Sequence, residues 1–255
     1  MKTLHPNLEK FMDKDRLELI GRIAVSIAHD IKNPLGKLRM GIDYLHQSAA
    51  RASDKNTSFV LGSMKEAWET IDTILRELLD LANAQKIRAR HENVNAVRDQ
   101  ALLLVKEELI QNDIAVVKDY GHEMPQVPME GEKIERILAN LFTNAIQAMP
   151  AGGTLQLKTY TETLARVGKR VGRRKEDVFK PGEKVVVVEV EDTGMGVPKE
   201  ILKRAFQPFV TSKSASGGIG LGLAITAWIM DLHQGTAEIG NNPDGGAKVT
   251  LRFKT

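Results

Sequence analysis

The chain has 255 residues, 42% of them apolar and 27% charged, which suits a globular protein with room for two small cores. A net charge of +3 argues against a general nucleic-acid or membrane-surface binder, and the lack of cysteine excludes disulfides and thiolate metal sites. The longest aliphatic runs, Leu102–Val105 and Val185–Val188, fall far short of the roughly 20 residues that cross a bilayer, and Met1–Lys10 lacks the apolar core of a signal peptide.

The first elements are helical. From Leu17, apolar residues recur at Ile20, Ala24, Ile27, Ile31, Leu35, Leu38, Ile42 and Leu45, in steps of three and four with one irregularity near Pro34. A second seam runs Val60, Met64, Ala67, Ile71, Ile74, Leu78 and Leu81, after a polar stretch from Gln47 to Ser58. The pattern predicts an all-α helical hairpin over 1–91. Two helices cannot bury a stripe on both sides, so a second copy completing a dimeric four-helix bundle is the economical solution. Packing of the stripe against the rest of the chain is the alternative.

From residue 92 the periods mix. Asn95–Ile110 reads as a helix and Ile114–Asp119 as a strand. Gly131–Met149 is a strongly patterned helix, with Ile134, Ile137, Leu138, Leu141, Ala145 and Ala148 on one side. Thr154–Thr161 and Val185–Glu191 read as strands, Ile219–His233 as a helix, and Thr236–Ile239 and Lys248–Phe253 as strands joined by a turn at Asn241–Gly246. This predicts an α/β two-layer sandwich with mostly antiparallel strands over 92–255. Thr161–Lys184 is longer than a hairpin needs and carries Arg166, Lys169, Arg170, Arg173, Arg174, Lys175, Lys180 and Lys184. It reads as an exposed basic insertion, either simply solvated or docking an acidic surface.

One histidine stands out. In Ser26-Ile27-Ala28-His29-Asp30-Ile31-Lys32-Asn33-Pro34-Leu35 the seam turns Ile27 and Ile31 inward and leaves His29 outward. A neutral imidazole nitrogen is a competent nucleophile, and the neighbouring Asp30 can orient the ring and take its proton. Asn33 follows one turn on, and Pro34 removes a helical hydrogen bond beside it. His5, His46, His91, His122 and His233 read as ordinary surface residues.

Four segments of the second half carry further chemistry. Asn140 and Asn144 share a helix face, and an amide oxygen suits Mg²⁺. Asp192-Thr193-Gly194-Met195-Gly196 follows a strand; its carboxylate can accept from an adenine amino group, and Gly194 and Gly196 let backbone approach a base. Phe206-Gln207-Pro208-Phe209 precedes Lys213, with two aromatics to anchor a loop. Gly217-Gly218-Ile219-Gly220-Leu221-Gly222 opens a helix, where backbone N–H groups meet phosphate. It is not a P-loop, since no Lys-Ser or Lys-Thr follows.

Taken together in this order, over residues 10–255, these segments resemble the core of a sensor histidine kinase of a two-component system. The wording His-Asp-Ile-Lys-Asn-Pro-Leu with Asn-Ala-Ile-Gln-Ala-Met is similar to the nitrogen-regulation-type branch. Residues 1–91 look like the dimerisation and histidine phosphotransfer domain, and 92–255 like the Bergerat-type ATP-binding domain shared with gyrase and MutL. Asn140–Ala145, Asp192–Gly196, Phe206–Phe209 and Gly218–Gly222 resemble its N, G1, F and G2 boxes.

The resemblance implies that His29 accepts the γ-phosphoryl group of ATP and Asp30 is its acid–base partner. It implies that Asn33 positions water when the kinase dephosphorylates its partner. Asn144, with Asn140 nearby, would hold Mg²⁺, Asp192 would read adenine, and Gly194 and Gly196 would let the loop close on it. Lys213, Gly218, Gly220 and Gly222 would contact phosphates, within and after a mobile lid over Val197–Gly217. The implied partners are a second copy of the chain and the receiver domain of a separate response regulator; no nucleic acid and no membrane segment is implied. The implied location is cytoplasmic, including that of a cytoplasmic part of a longer protein. Hydrolysing relatives carry a carboxylate where Asn140 stands, which favours transfer to a protein. An inactive scaffold and a Bergerat-type ATPase machine are the competing classes.

Overall fold

The computed structural model describes residues 87–164, 179–207, 210–211 and 220–255, with scattered helical positions between 35 and 71. Two compact units divide the chain, Met1–Asn83 and Ala84–Thr255. No helix among the described residues is long and apolar enough to cross a membrane.

In the first unit the described residues between 35 and 45 and between 61 and 71 are helical. Leu35 and Ile42, seven residues apart, are buried at 7% and 6% exposure, and Ile42 packs with Leu61. The Trp68 indole donates to the Leu35 carbonyl at 3.1 Å, and the Arg39 guanidinium lies 4.5 Å above its ring. Within one copy, part of each expected seam is left uncovered. Leu38 and Leu45 of the first seam and Met64 and Ile71 of the second are exposed, while Leu61 and Trp68 make the internal contacts. The inward line of the second helical stretch passes through 61 and 68, where an aromatic can reach across, leaving the heptad line open.

The second unit begins with β1 (Arg90–Glu92), which pairs antiparallel with β3 (Val127–Met129). Neither was expected. The helix expected over Asn95–Ile110 is two helices, α1 (Val94–Leu104) and α2 (Lys106–Gln111). They break at Val105, whose φ of −109° and ψ of 9° leave the helical region. A β-branched residue, stiff at χ1, is a weak point in a helix.

The main sheet has the order β2-β4-β5-β7-β6, with β2 (Ile114–Tyr120), β4 (Gly153–Thr163), β5 (Lys184–Asp192), β6 (Thr236–Asn241) and β7 (Ala247–Lys254). β2 and β4 run parallel and all other neighbours antiparallel. A parallel pair needs a crossover, and α3 (Gly131–Ala148) supplies it. Its Ile134, Ile137, Leu138, Leu141, Phe142, Ala145 and Ile146 are buried at helical spacing. With α1 and α5 (Gly222–Leu232) it forms the helical layer of an α/β two-layer sandwich. A short α4 (Lys199–Leu202) lies between β5 and α5.

Alternation sets the two sheet faces apart. Leu155, Leu157, Val186, Val188, Leu251 and Phe253 share one face and are buried. The opposite face carries Lys158–Glu191 at 3.3 Å, Lys248–Glu189 at 3.2 Å and Arg252–Glu238 at 2.8 Å. Tyr160 there donates to Glu189 at 3.2 Å. Burial first, then the Glu189 carboxylate, pushes its pKa up to about 12.

The ends of the basic insertion are ordered, which corrects the expectation of an exposed segment throughout. β4 extends to Thr163, and Leu164 and Phe179 are buried against Val185 and Val187, with Tyr160 packed alongside. The Leu164 and Phe179 side chains, just past the end of β4 and before the start of β5, cover each other and the β5 valines, and the Leu164 amide bonds the Glu183 carbonyl at 3.0 Å. Residues 165–178 lie outside the described set.

Candidate nucleotide site

Three loops converge on the C-terminal part of α3. Leu141 and Ala145 are buried, while Asn140 and Asn144, four residues apart, are half-buried on another side of the helix. The Asn140 amide nitrogen is buried and makes no hydrogen bond. Such an orphan donor costs about 1–3 kcal/mol unless something accepts from it.

That amide is set against the start of α5. A Cβ built on Gly222 would lie 2.5 Å from Asn140 Nδ2 and 2.6 Å from its Oδ1. Gly222 opens the helix and Leu221, buried, is its N-cap, so the first-turn N–H groups point out of the helix end beside Asn140. Gly220 has φ +74° and lies on the Val210 backbone, where a Cβ would come within 2.6 Å of the carbonyl. Thr226, fully buried, returns a hydrogen bond to the Gly222 carbonyl at 2.9 Å.

The loop after β5 is fastened from three sides. Asp192, buried at the strand end, accepts from the Gly194 amide at 2.9 Å and the Ala247 amide at 3.2 Å, both at Oδ1. A Cβ on Gly194 would strike the Ala148 carbonyl at 2.4 Å, and the Met195 amide bonds that same carbonyl at 3.3 Å. The end of α3 thus has one of its orphan carbonyls satisfied by this loop. The Asn241 amide then grips Val197 at both backbone groups, each at 2.8 Å. Gly196, at φ +71°, turns the chain between these anchors, and Met195 projects into solvent.

Several of these contributors were missed in the sequence. Asn241–Gly246 read only as a turn, yet Gly246 at φ +82° lies under Asp192, where a Cβ would sit 1.8 Å from its carbonyl oxygen. The Gly245-Gly246 pair was the available signal. Thr193, which accepts from the Thr154 amide at 3.0 Å, had none. His233 is corrected outright: it is 5% exposed, not a surface residue. Burial lowers its pKa, since a charged imidazole there would lose its hydration.

The structure brings Asn140 and Gly222 together, and joins Asp192, Gly194 and Gly196 in one loop against the end of the same helix. His29, Asp30, Asn33, Lys213 and Gly218 lie outside the described residues.

The sandwich with its glycine loops defines a class of ATPase. Residues 129–255 match the family of histidine kinase-, DNA gyrase B-, and HSP90-like ATPases. The sensory histidine kinase/phosphatase NtrB of Klebsiella oxytoca is 32% identical over 223 residues, covering 85% of this chain and 57% of its own. Full-length ShkA in complex with AMPPNP, 19% identical, matches the fold with a TM-score of 0.67 over 92% of this chain and 46% of that one. Histidine kinase ThkA in complex with response regulator protein TrrA, 21% identical, gives 0.62 over 100% and 67%. The chain spans 22–57% of the length of the first curated relatives it matches. Residues 129–255 thus form an ATPase domain of the histidine kinase type, and the curated relatives that align with most of the chain are named histidine kinases.

Proposed function

We propose that the chain autophosphorylates on His29 with ATP and passes the phosphoryl group to an aspartate on the receiver domain of a separate response regulator. The observation that carries this reading is the orphan Asn140 amide set against Gly222 at the open start of α5. A buried donor beside exposed helix N–H groups suits the oxygens of a polyphosphate. Asn144, on the same face of α3, would hold Mg²⁺ through its amide oxygen, and the ion would neutralise phosphate charge. Asp192, oriented by Gly194 and Ala247, would accept from the adenine amino group. Gly194 and Gly196 would admit the base, and Lys213, Gly218, Gly220 and Gly222 would hold the phosphates.

In the transfer, an imidazole nitrogen of His29 bonds the γ-phosphorus as the bond to the β,γ-bridging oxygen breaks. ADP carries away that electron pair, and Asp30 takes the ring proton. Such transfer rests on positioning and charge neutralisation. Met1–Asn83 would hold the hairpin of a homodimeric four-helix bundle and Ala84–Thr255 the ATP-binding domain, a boundary earlier than residue 91 because Arg90 and His91 pair with β3, and the chain would act in the cytoplasm. The exposed Leu38, Met40, Leu45, Met64 and Ile71 support a second copy as their cover. Asn33 would position water to dephosphorylate the regulator; a relative named as both kinase and phosphatase supports this.

Incubation with γ-labelled ATP tests the reading. Acid-labile, base-stable label is expected on the protein and absent in His29→Gln. Label persisting in that variant rejects His29, and free phosphate without labelled protein points to an ATPase instead.

A further inference from the structure

His233 closes the end of α5 remote from Gly222. Its Nε2 accepts the Glu130 amide at 3.0 Å, which fixes that nitrogen as unprotonated. The proton is therefore on Nδ1, which donates to the Ile229 carbonyl at 2.7 Å. Glu130 is the N-cap of α3, and its amide has no partner within the helix it caps.

The same end of α3 is held by the segment that enters the unit. The Glu130 carboxylate accepts the Arg88 amide at 2.9 Å and Lys133 Nζ at 3.0 Å. Glu92, in β1, accepts the Gly131 amide at 3.0 Å, and its carboxylate end lies close against the Gly131 Cα.

α3 and α5 therefore touch at two rungs, Glu130–His233 and Asn140–Gly222. Along α3 the rungs are ten residues apart, and along α5 eleven, so about 15 and 16 Å at helical rise. The order of the rungs makes the helices antiparallel arms of one frame. One rung adjoins the entry segment and the other the Gly220–Gly222 turn.

We propose that His233 is a positioning residue that sets the register of α5 on α3, and so holds Gly220–Gly222 in place for the phosphates of ATP. The phosphate part rests on the proposed nucleotide site; the register part stands on the two rungs alone. Without the Nε2 acceptor, the remote rung opens and α5 slides or tilts at its glycine end.

The test uses the full chain with His233→Gln, His233→Asn and His233→Leu. Gln returns an acceptor at the Nε2 position; Asn keeps only a group near Nδ1; Leu keeps volume alone. Titration calorimetry with AMPPNP is expected to show binding about threefold to tenfold weaker in the Asn and Leu variants, the range spanned by one lost hydrogen bond, and within about twofold of the parent in Gln. Exchange of the Ile225–Trp228 amides, which close the first turn of α5 beginning with Ile225 N–H to the Leu221 carbonyl at 2.9 Å, is expected, without nucleotide, to quicken in Asn and Leu and recover in Gln. A purely space-filling role predicts the opposite ranking, with Leu closest to the parent, and overturns the proposal. Unchanged exchange in all three variants overturns it as well. If the parent binds no AMPPNP while exchange ranks as expected, the nucleotide reading fails and the register role stands.

Discussion

The two units treat their apolar residues differently. In Ala84–Thr255 the large side chains of α3 and of the inner sheet face, among them Ile134, Leu138, Phe142, Leu251 and Phe253, are fully buried by their own chain. In Met1–Asn83 the described residues bury Leu35, Ile42 and Leu61 but leave Leu38 at 56% and Met40 at 74% exposure. One unit closes its core alone; the other presents a stripe whose burial needs a further surface. With the proposed second copy as cover, the first unit would gain stability with protein concentration, while the second would not depend on it.

The sharpest way to break this comparison is a pair of variants. Phe142→Ala is expected to cost about 3–5 kcal/mol in urea unfolding of the second unit, independent of protein concentration. Met40→Glu with Ile71→Glu is expected to leave that transition in place and halve the mass seen by light scattering. An unchanged mass would remove the stripe as a dimer surface.

Gly246→Ala comes next. The left-handed backbone alone costs about 1–3 kcal/mol for a residue with a Cβ, and here the Cβ meets the Asp192 carbonyl. A lowered melting temperature together with weakened AMPPNP binding is expected. Gly222→Ala should act more selectively. Its Cβ displaces the tip of a side chain, Asn140, rather than backbone, so nucleotide affinity should fall with little change in melting. A large stability loss with normal affinity would contradict the site geometry.

Asn241→Ala removes two hydrogen bonds at a partly exposed loop, for a loss of about 1 kcal/mol.

The smallest effect is the response to acid. His233 has its folded pKa lowered by burial, so below its ordinary 6.5 the unfolded chain takes up a proton that the folded one refuses. Stability is thus lost as pH falls through 6.5, and flattens below the folded value. Glu130 is also lowered: burial opposes this, but the Arg88 amide and Lys133 outweigh it. Its contribution is present above its ordinary 4.5 and is lost only as pH falls through its lower folded value. Between pH 7 and 5 the loss should therefore follow His233, and melts of His233→Gln should be flatter over that interval.

Much of the second unit was legible in its sequence. Periodicity marked α3 and most strands of the main sheet to within two residues, because burial of one face recurs every turn or every second residue. Asn140, Asp192 and Gly222 drew attention through their order and residue type. The break at Val105 escaped notice because Val94, Val97, Ala101, Val105 and Leu109 keep helical spacing across it. β1 and β3 escaped because three residues carry too little alternation to read.

The sequence by itself determined the repeating faces of the helices and strands and the chemistry of the asparagine and glycine segments, since these depend on neighbours within a turn or two. Only the tertiary structure decided that Asp192 is clasped by Ala247, 55 residues away, and His233 by Glu130, 103 residues away. Such pairings arise when buried donors and acceptors must find partners in a closed core. No local pattern records them, which is why a histidine that reads as surface stands instead at the joint between two helices.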